Sequence, residues 1–224
     1  MNRKETLLTL LAAASAILHI WAEYHGPQVQ VFVFKPLTMA FIILLAVYRA
    51  TGNRGFYAYG ILAGLGFSVA GDVFLMLPSD LFVQGLISFL IAHLFYIAAF
   101  TQGTPLKFRS WSIAPFAVYG LLIYAVLFPH LAGLKIPVLI YVAVILVMGW
   151  RALERRRHVR NSAALFAFLG ALLFIFSDSV LALNRFHESF AAARFLTLLT
   201  YFSAQWFIAR SIGAVPVRSP SQNP

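Results

Sequence analysis

Two aspartates stand inside stretches that are otherwise free of charge. Asp72 lies in GILAGLGFSVAGDVFLML (60–77), and Asp178 lies in GALLFIFSDSVLALN (170–184). A helix rising 1.5 Å per residue needs roughly 20 apolar residues to cross a hydrocarbon core, and both stretches approach that length. A carboxylate at the centre of such a helix costs about 2.5–3.5 kcal/mol even on a lenient scale, so two at matching positions require a reason. A soluble core is the alternative home for such runs, and composition excludes it. The chain is 61% hydrophobic and 11% charged, with a mean hydropathy of +0.84, whereas a soluble domain carries about a quarter charged residues. The class is therefore an integral membrane protein. Barrel strands would alternate with period two over about ten residues, and no stretch does, so the fold class is all-α.

Eight segments predict transmembrane helices: Thr6–Tyr24, Val31–Tyr48, Phe56–Leu77, Leu81–Thr101, Ser112–Phe128, Ile136–Trp150, Ser162–Leu183 and Phe190–Ile212. The sixth is the shortest. Residues 1–5 (MNRKE) look like the start of a signal peptide, but no small-residue cleavage site follows, so the first run is kept as a helix. The links are short, which predicts antiparallel neighbours in one bundle covering 1–212. The remainder, 213–224, is rich in Pro and Ser and reads as a disordered tail.

The net charge of +10 does not indicate nucleic acid, because the basic residues fall between the apolar runs. With the amino terminus inside, 13 of the 17 Lys and Arg residues fall on the cytoplasmic side: Arg3, Lys4, Arg49, Arg54, Lys107, Arg109, Arg151, Arg155, Arg156, Arg157, Arg160, Arg210 and Arg218. Lys135 and Arg185 fall outside, with Lys35 and Arg194 just inside their helices. This bias predicts eight spans with both termini cytoplasmic. Arg155-Arg156-Arg157 reads as a topology determinant, with contact to anionic lipid as the alternative. In this orientation the third and seventh helices both run outward, with each aspartate roughly 8 Å below the outer interface. The likeness of the two stretches suggests a duplicated four-helix unit in parallel orientation. Cysteine is absent, which excludes disulfides and thiolate metal sites.

Helical neighbours recur at i+3 and i+4, which brings out the polar faces. The third helix presents Gly60, Gly64, Ser68 and Asp72. The fourth presents Gly85, Phe89, His93 and Tyr96, and the seventh Gly170, Phe174 and Asp178 with Ser177 adjacent. The eighth presents Arg194, Thr197, Tyr201 and Gln205, and the first Ser15, His19 and Glu23. Lys35 opens the second helix. Helices five and six carry tyrosines but no ionisable core group, and read as scaffold. Each polar residue also has a structural reading. Lys35 and Arg194 can snorkel to the interface, His19 and Glu23 suit the interface, Tyr96 and Tyr201 suit cross-helix hydrogen bonds, and the aspartates suit ion pairs with Lys35, His93 or Arg194.

No phosphate loop, nucleophile elbow or His-Glu-x-x-His motif is present. Zinc wants three protein ligands, and only His19 and His93 lie in helices, so a metal would need carboxylates as well. Two carboxylates and a histidine suit acid–base work, in which burial and neighbouring cations tune each group.

At these positions the chain resembles the YhhN-type lysoplasmalogenase family of multi-pass membrane proteins. The resemblance is carried by Lys35-Pro36, by FSVAGDVFLML with Gly71-Asp72, and by Gly85, Phe89, His93 and Tyr96. It continues through GALLFIFSDSVLAL with Ser177-Asp178, then Tyr201 and Gln205. It implies hydrolysis of the vinyl ether bond of a lysoplasmalogen to a fatty aldehyde and glycerophosphoethanolamine or glycerophosphocholine, with no required cofactor. The expected partners are the lysophospholipid substrate and membrane lipids. In a bacterial cell the location would be the inner membrane, with the site toward the periplasm.

The residues suit that chemistry. A vinyl ether opens once its β-carbon is protonated, which calls for a proton donor, a carboxylate to stabilise the oxocarbenium ion, and water. Asp72 and Asp178 are expected to divide the first two roles, with His93 holding water or shuttling a proton. Tyr96, Ser177, Tyr201 and Gln205 would position substrate, and Lys35 and Arg194 would bind the lipid phosphate. Two alternatives stand beside this reading. One is a small lipid-binding protein or transporter using the same charges as a relay, and the other is a metal-dependent lipid hydrolase.

Overall fold

Asn2 accepts a hydrogen bond from the Glu5 N–H at 3.0 Å and so opens the first helix, satisfying one of the amides that a helix start leaves free. From there a computed structural model, describing residues 2–52, 55–106 and 110–213, is helical nearly throughout. The helices are α1 (Arg3–His25), α2 (Gln28–Ala50), α3 (Phe56–Met76), α4 (Phe82–Thr101), α5 (Ser110–Leu127), α6 (Lys135–Val159), α7 (Ser162–Ala182) and α8 (Ala193–Arg210). No strand occurs among the described residues. Arg54, Lys107, Arg109, Arg218 and nearly all of the expected tail (214–224) lie outside the described residues.

Among the described residues, seven helices are long and apolar enough to cross a membrane. The exception is α8, which carries Arg194, Thr197, Thr200, Tyr201, Gln205 and Arg210. Its two ends nevertheless match those of α1. Near its start, Arg194 pairs with Glu23 and the Phe195 amide donates to the Tyr24 hydroxyl. Just past its end, the Ile212 carbonyl accepts from Arg49, which also pairs with Glu5 at 2.6 Å. So α8 runs the length of the bundle from an upper end, marked by Glu23, to a lower end, marked by Glu5. Large side chains on the bundle's flanks stay open, among them Leu10 (62% exposed), Ile17 (67%) and Leu121 (70%). That surface suits lipid rather than water.

The sixth helix departs from expectation: it is the longest rather than the shortest, with 25 residues. Its apolar run ends at Trp150, but strong helix formers follow, and their side chains have work at the lower end. Arg151 is buried and donates to Thr101 Oγ1 and the Thr104 carbonyl, both at 3.0 Å, while Arg155 donates to the Gln102 carbonyl at 2.8 Å. Two basic residues thus satisfy groups at the carboxyl end of α4. Arg160 at φ +54° ends α6, and Asn161 immediately caps α7.

The aspartates occupy equivalent places, each four residues before the last residue of its α-helix. Two turns earlier, each helix has a glycine in close contact with a neighbour. A Cβ on Gly64 would lie 2.3 Å from the Tyr96 ring, and one on Gly170 would lie 2.9 Å from the Ala204 carbonyl oxygen. Small residues allow this approach, and it is how α3 packs on α4 and α7 on α8.

Candidate active site

Lys35 is carried on a turn of α2 that α1 holds in position. The Ser15 and Thr38 hydroxyls both donate to the Phe34 carbonyl, at 3.2 and 2.8 Å, beside the break that Pro36 makes in the backbone ladder. The Lys35 ammonium lies 3.0 Å from Asp72 Oδ1, and the Tyr201 hydroxyl donates to Asp72 Oδ2 at 2.6 Å. Both oxygens of this buried carboxylate are engaged, as a buried charge requires.

Asp178 has different company. It accepts from the Tyr141 hydroxyl, and His93 Nε2 lies 3.8 Å away. Tyr141 also sits 3.3 Å from His93 Nε2, while His93 Nδ1 is buried with no hydrogen-bond partner among the described residues. No Lys or Arg among the described residues forms an ion pair with Asp178.

Aromatic rings join the two halves. Phe174 meets His93 edge-on with centroids 4.7 Å apart and meets Tyr201 at 5.5 Å, and Phe89 packs edge-on against both Phe174 and Tyr201. A Cβ on Gly71 would lie 2.6 Å from the Phe89 ring, so glycine beside Asp72 makes room for it. Below, the Tyr96 hydroxyl donates to Gln205 Oε1 at 2.9 Å and lies 3.4 Å from Ser68 Oγ, leaving Gln205 Nε2 buried with no partner among the described residues.

Two spaces meet here. A cavity of about 430 Å³ at the upper end is lined by Glu23, Lys35, Asn184, Arg185, Arg194 and Thr197 among others. A narrow cleft of about 60 Å³ is almost wholly apolar, with Tyr119, Tyr141, Asp178 and Ser179 as its polar residues. Leu75, Phe82 and Leu181 line both. At Gly120, Val142 and Leu146 the cleft adjoins an apolar groove of about 360 Å³ between α5 and α6. A polar end, an acidic middle and an apolar exit suit an amphiphile whose reacting bond lies between head and tail.

Lys35, Asp72, His93, Tyr96, Asp178, Tyr201 and Gln205 therefore gather as a group, and two expected residues do not join it. Ser177 is buried and donates to the Thr197 carbonyl at 2.9 Å, tying α7 to α8 rather than facing substrate. Arg194 stands on the rim with its side chain 61% exposed, 3.0 Å from Glu23 Oε2. Two readings need correction. His19 is not interfacial but fully buried, with Nε2 3.6 Å from Glu23 Oε1. Helices α5 and α6 are not mere scaffold: Tyr141 reaches both Asp178 and His93, and Tyr119 donates to Ser179 at 2.8 Å beside them. A signal for Tyr141 was present in its spacing with Val138, Ile145 and Met148, which share the buried stripe of α6. Among the described residues, no three His, Asp or Glu side chains stand together as a metal site would require.

A bundle of apolar helices enclosing two carboxylates, a cation and a histidine defines an integral, multi-pass membrane protein with a buried cluster of ionisable side chains. Residues 30–212, from the start of α2 through α8, match the model of the YhhN family, and the chain belongs to that family. It is 32% identical over 199 residues to the uncharacterized membrane protein YhhN of Escherichia coli O157:H7, covering 88% of this chain and 94% of that one. It is 39% identical over 168 residues to the lysoplasmalogenase TMEM86A of Homo sapiens, covering 73% and 68%. It is 33% identical over 207 residues to the lysoplasmalogenase TMEM86B of Mus musculus, covering 92% and 85%. No solved structure matches.

Proposed function

We propose that this chain hydrolyses the vinyl ether bond of lysoplasmalogens, releasing a fatty aldehyde and glycerophosphoethanolamine or glycerophosphocholine. One observation carries the reading: Lys35, on the wall of the polar cavity, holds Asp72, while Asp178 faces the adjoining apolar cleft with no Lys or Arg partner among the described residues, and the rings of Tyr201, Phe174 and His93 join the two. The names of the relatives support it.

The roles follow from the surroundings. Asp72, held by Lys35 and Tyr201, is the carboxylate that stabilises positive charge. Asp178, facing the cleft where the alkenyl chain would lie, is the proton donor. Its proton goes to the β-carbon, and positive charge develops across the adjacent carbon and the ether oxygen. Water held at His93 adds to that carbon and returns a proton to Asp178. The hemiacetal then collapses: the bond from carbon to the glycerol oxygen breaks, the hydroxyl proton passes to that oxygen, and aldehyde and alcohol leave. Tyr141 orients Asp178 and His93 together, Tyr96 and Gln205 set the floor, and Arg194 meets the phosphate at the mouth. This route needs no cofactor.

The same reading takes all eight helices as crossings, the upper end as the outer face and both termini as cytoplasmic; in a bacterial cell it assigns the protein to the inner membrane. The bias of basic residues supports this orientation. The cysteine-free sequence allows a direct check, since single cysteines introduced at Ser79 and at Gln102 should be labelled from opposite sides.

The central test is aldehyde release from 1-alkenyl-lysophosphatidylethanolamine by purified protein. Asp72→Asn and Asp178→Asn should each lower turnover by about 10²–10⁴-fold, the usual worth of a positioned acid or base. Full turnover by either variant sinks the assignment, and loss of activity with a chelator sinks the cofactor-free route.

A further inference from the structure

The upper cavity has a charge pattern that the hydrolytic roles leave unexplained. Three cations line it, Lys35, Arg185 and Arg194, and each already has an acidic partner. Lys35 is held by Asp72 at 3.0 Å, Arg185 by Asp80 at 2.9 Å, and Arg194 by Glu23 at 3.0 Å. Glu23 is the one acid among the described residues lining the cavity. Its side chain is 17% exposed and sits between Arg194 and the buried ring of His19.

These pairs differ in how easily they open. Breaking Lys35 from Asp72 would strand a buried carboxylate, which is costly. Arg194 stands at the rim with its side chain open to solvent and can swing away, because an ion pair with one exposed partner is weakly held. A lipid phosphate entering the cavity can take the Arg194 guanidinium, whose fork suits phosphate oxygens. Glu23 then loses its partner in a half-closed cavity beside a histidine that is fully buried. An incoming ligand leaves no charge unpaired only if it brings a cation of its own.

We infer that Glu23 is the acceptor for the ammonium of a zwitterionic phosphodiester headgroup, and that it selects against lipids whose phosphate carries no amine. The exchange is one for one: phosphate replaces Glu23 on Arg194, and ammonium replaces Arg194 on Glu23. A lipid ending in a bare phosphate takes Arg194 and leaves Glu23 stranded. The cavity volume of about 430 Å³ lies within the range of about 300–1,000 Å³ that small-molecule sites occupy. The inference rests on the hydrolase reading only for the lipid's tail, because head recognition is a binding property of its own.

Binding therefore tests it. Two non-cleavable ether lipids, 1-alkyl-glycerophosphocholine and 1-alkyl-glycerophosphate, would be titrated into purified full-length protein in neutral detergent. The wild-type chain should bind the choline lipid at least about tenfold more tightly, because its quaternary ammonium meets the Glu23 carboxylate charge to charge, without a hydrogen bond. Glu23→Gln should weaken the choline lipid by about that factor and leave the phosphate lipid unchanged or tighter, whereas Arg194→Gln should weaken both. Equal wild-type affinity for the two lipids overturns the inference without any substitution, and so does a Glu23→Gln variant that shifts both alike or neither. Aldehyde release from the matching alkenyl lipids in the same samples separates the two readings. Ammonium-dependent binding without aldehyde removes hydrolysis and keeps the headgroup site. Aldehyde released with no headgroup preference removes the headgroup site and keeps hydrolysis.

Discussion

Lys35 Nζ lies 3.0 Å from Asp72 Oδ1, across the gap between α2 and α3, while the other oxygen of that carboxylate is taken by Tyr201. Removing the lysine would leave a carboxylate that is 2% exposed without its cation. Lys35→Met should therefore cost about 3–5 kcal/mol of stability. Replacing both charges should cost far less, because Asp72→Asn removes the group that Lys35→Met strands. Thermal unfolding of the two single variants and the double variant in detergent measures the coupling. Additive losses would mean that the pair does not act as a unit.

Tyr141 donates to Asp178 and also borders His93. Tyr141→Phe keeps the ring that fills α6's buried stripe and removes only the hydroxyl. Turnover should fall by about 10–100-fold, the worth of a hydrogen bond to the carboxylate that Asp178 becomes as it gives up its proton, with little change in unfolding temperature. Tyr57→Phe, which loses a bond to Ser211 at the lower end, is the control and should leave turnover near wild type. Equal activity losses in the two variants would make Tyr141 a structural residue.

Sequence order alone brought out Asp72, His93 and Asp178, because an ionisable group in an apolar run is conspicuous wherever the helix is packed. Tyr141 was not conspicuous, since tyrosine is at home in such runs and its role depends on which helix faces it. That is information about tertiary packing, as is the burial of His19, which lies near the end of its helix and reads as interfacial until α8 covers it with Phe202. Hydropathy likewise ended the sixth helix at Trp150. The chain continues to Val159 because Arg151 and Arg155 find the carboxyl end of α4, a partner invisible to a local reading.

Gly64 and Gly66 lie two positions apart on α3, in opposite surroundings. A Cβ at Gly64 would lie 2.3 Å from the Tyr96 ring, whereas one at Gly66 meets nothing within 4 Å. Gly64→Ala should force Tyr96 off Gln205 and Ser68 and lower both stability and turnover. Gly66→Ala should be neutral or stabilising by up to about 1 kcal/mol, because alanine is the better helix former. Denaturation in mixed micelles distinguishes them, and similar behaviour would contradict the close packing of α3 on α4.

The way out of the cleft fixes the last prediction. Asp178 and Tyr141 stand above Ile145, Leu146 and Ile175, and at Gly120, Val142 and Leu146 the cleft adjoins the groove on the bundle's flank. The passage is tight, for Leu146 Cδ1 would lie only 2.2 Å from a Cβ on Gly120. On the proposed reading, a lipid with its head at Lys35 and its reacting bond at Asp178 sends its chain through this gap into the bilayer. Leu146→Trp should narrow the gap and raise KM for long-chain alkenyl substrates while sparing those short enough to end within the cleft. Leu146→Ala should relieve it, at a stability cost of about 2–5 kcal/mol for an apolar truncation at a buried site and less here, where the residue is only partly buried. Steady-state kinetics over a series of chain lengths reads the effect directly. A Leu146→Trp variant that slows all chain lengths equally would mean that the tail leaves by another route, such as the groove beside α1 and α8 lined by Ala16, Ile20 and Phe202.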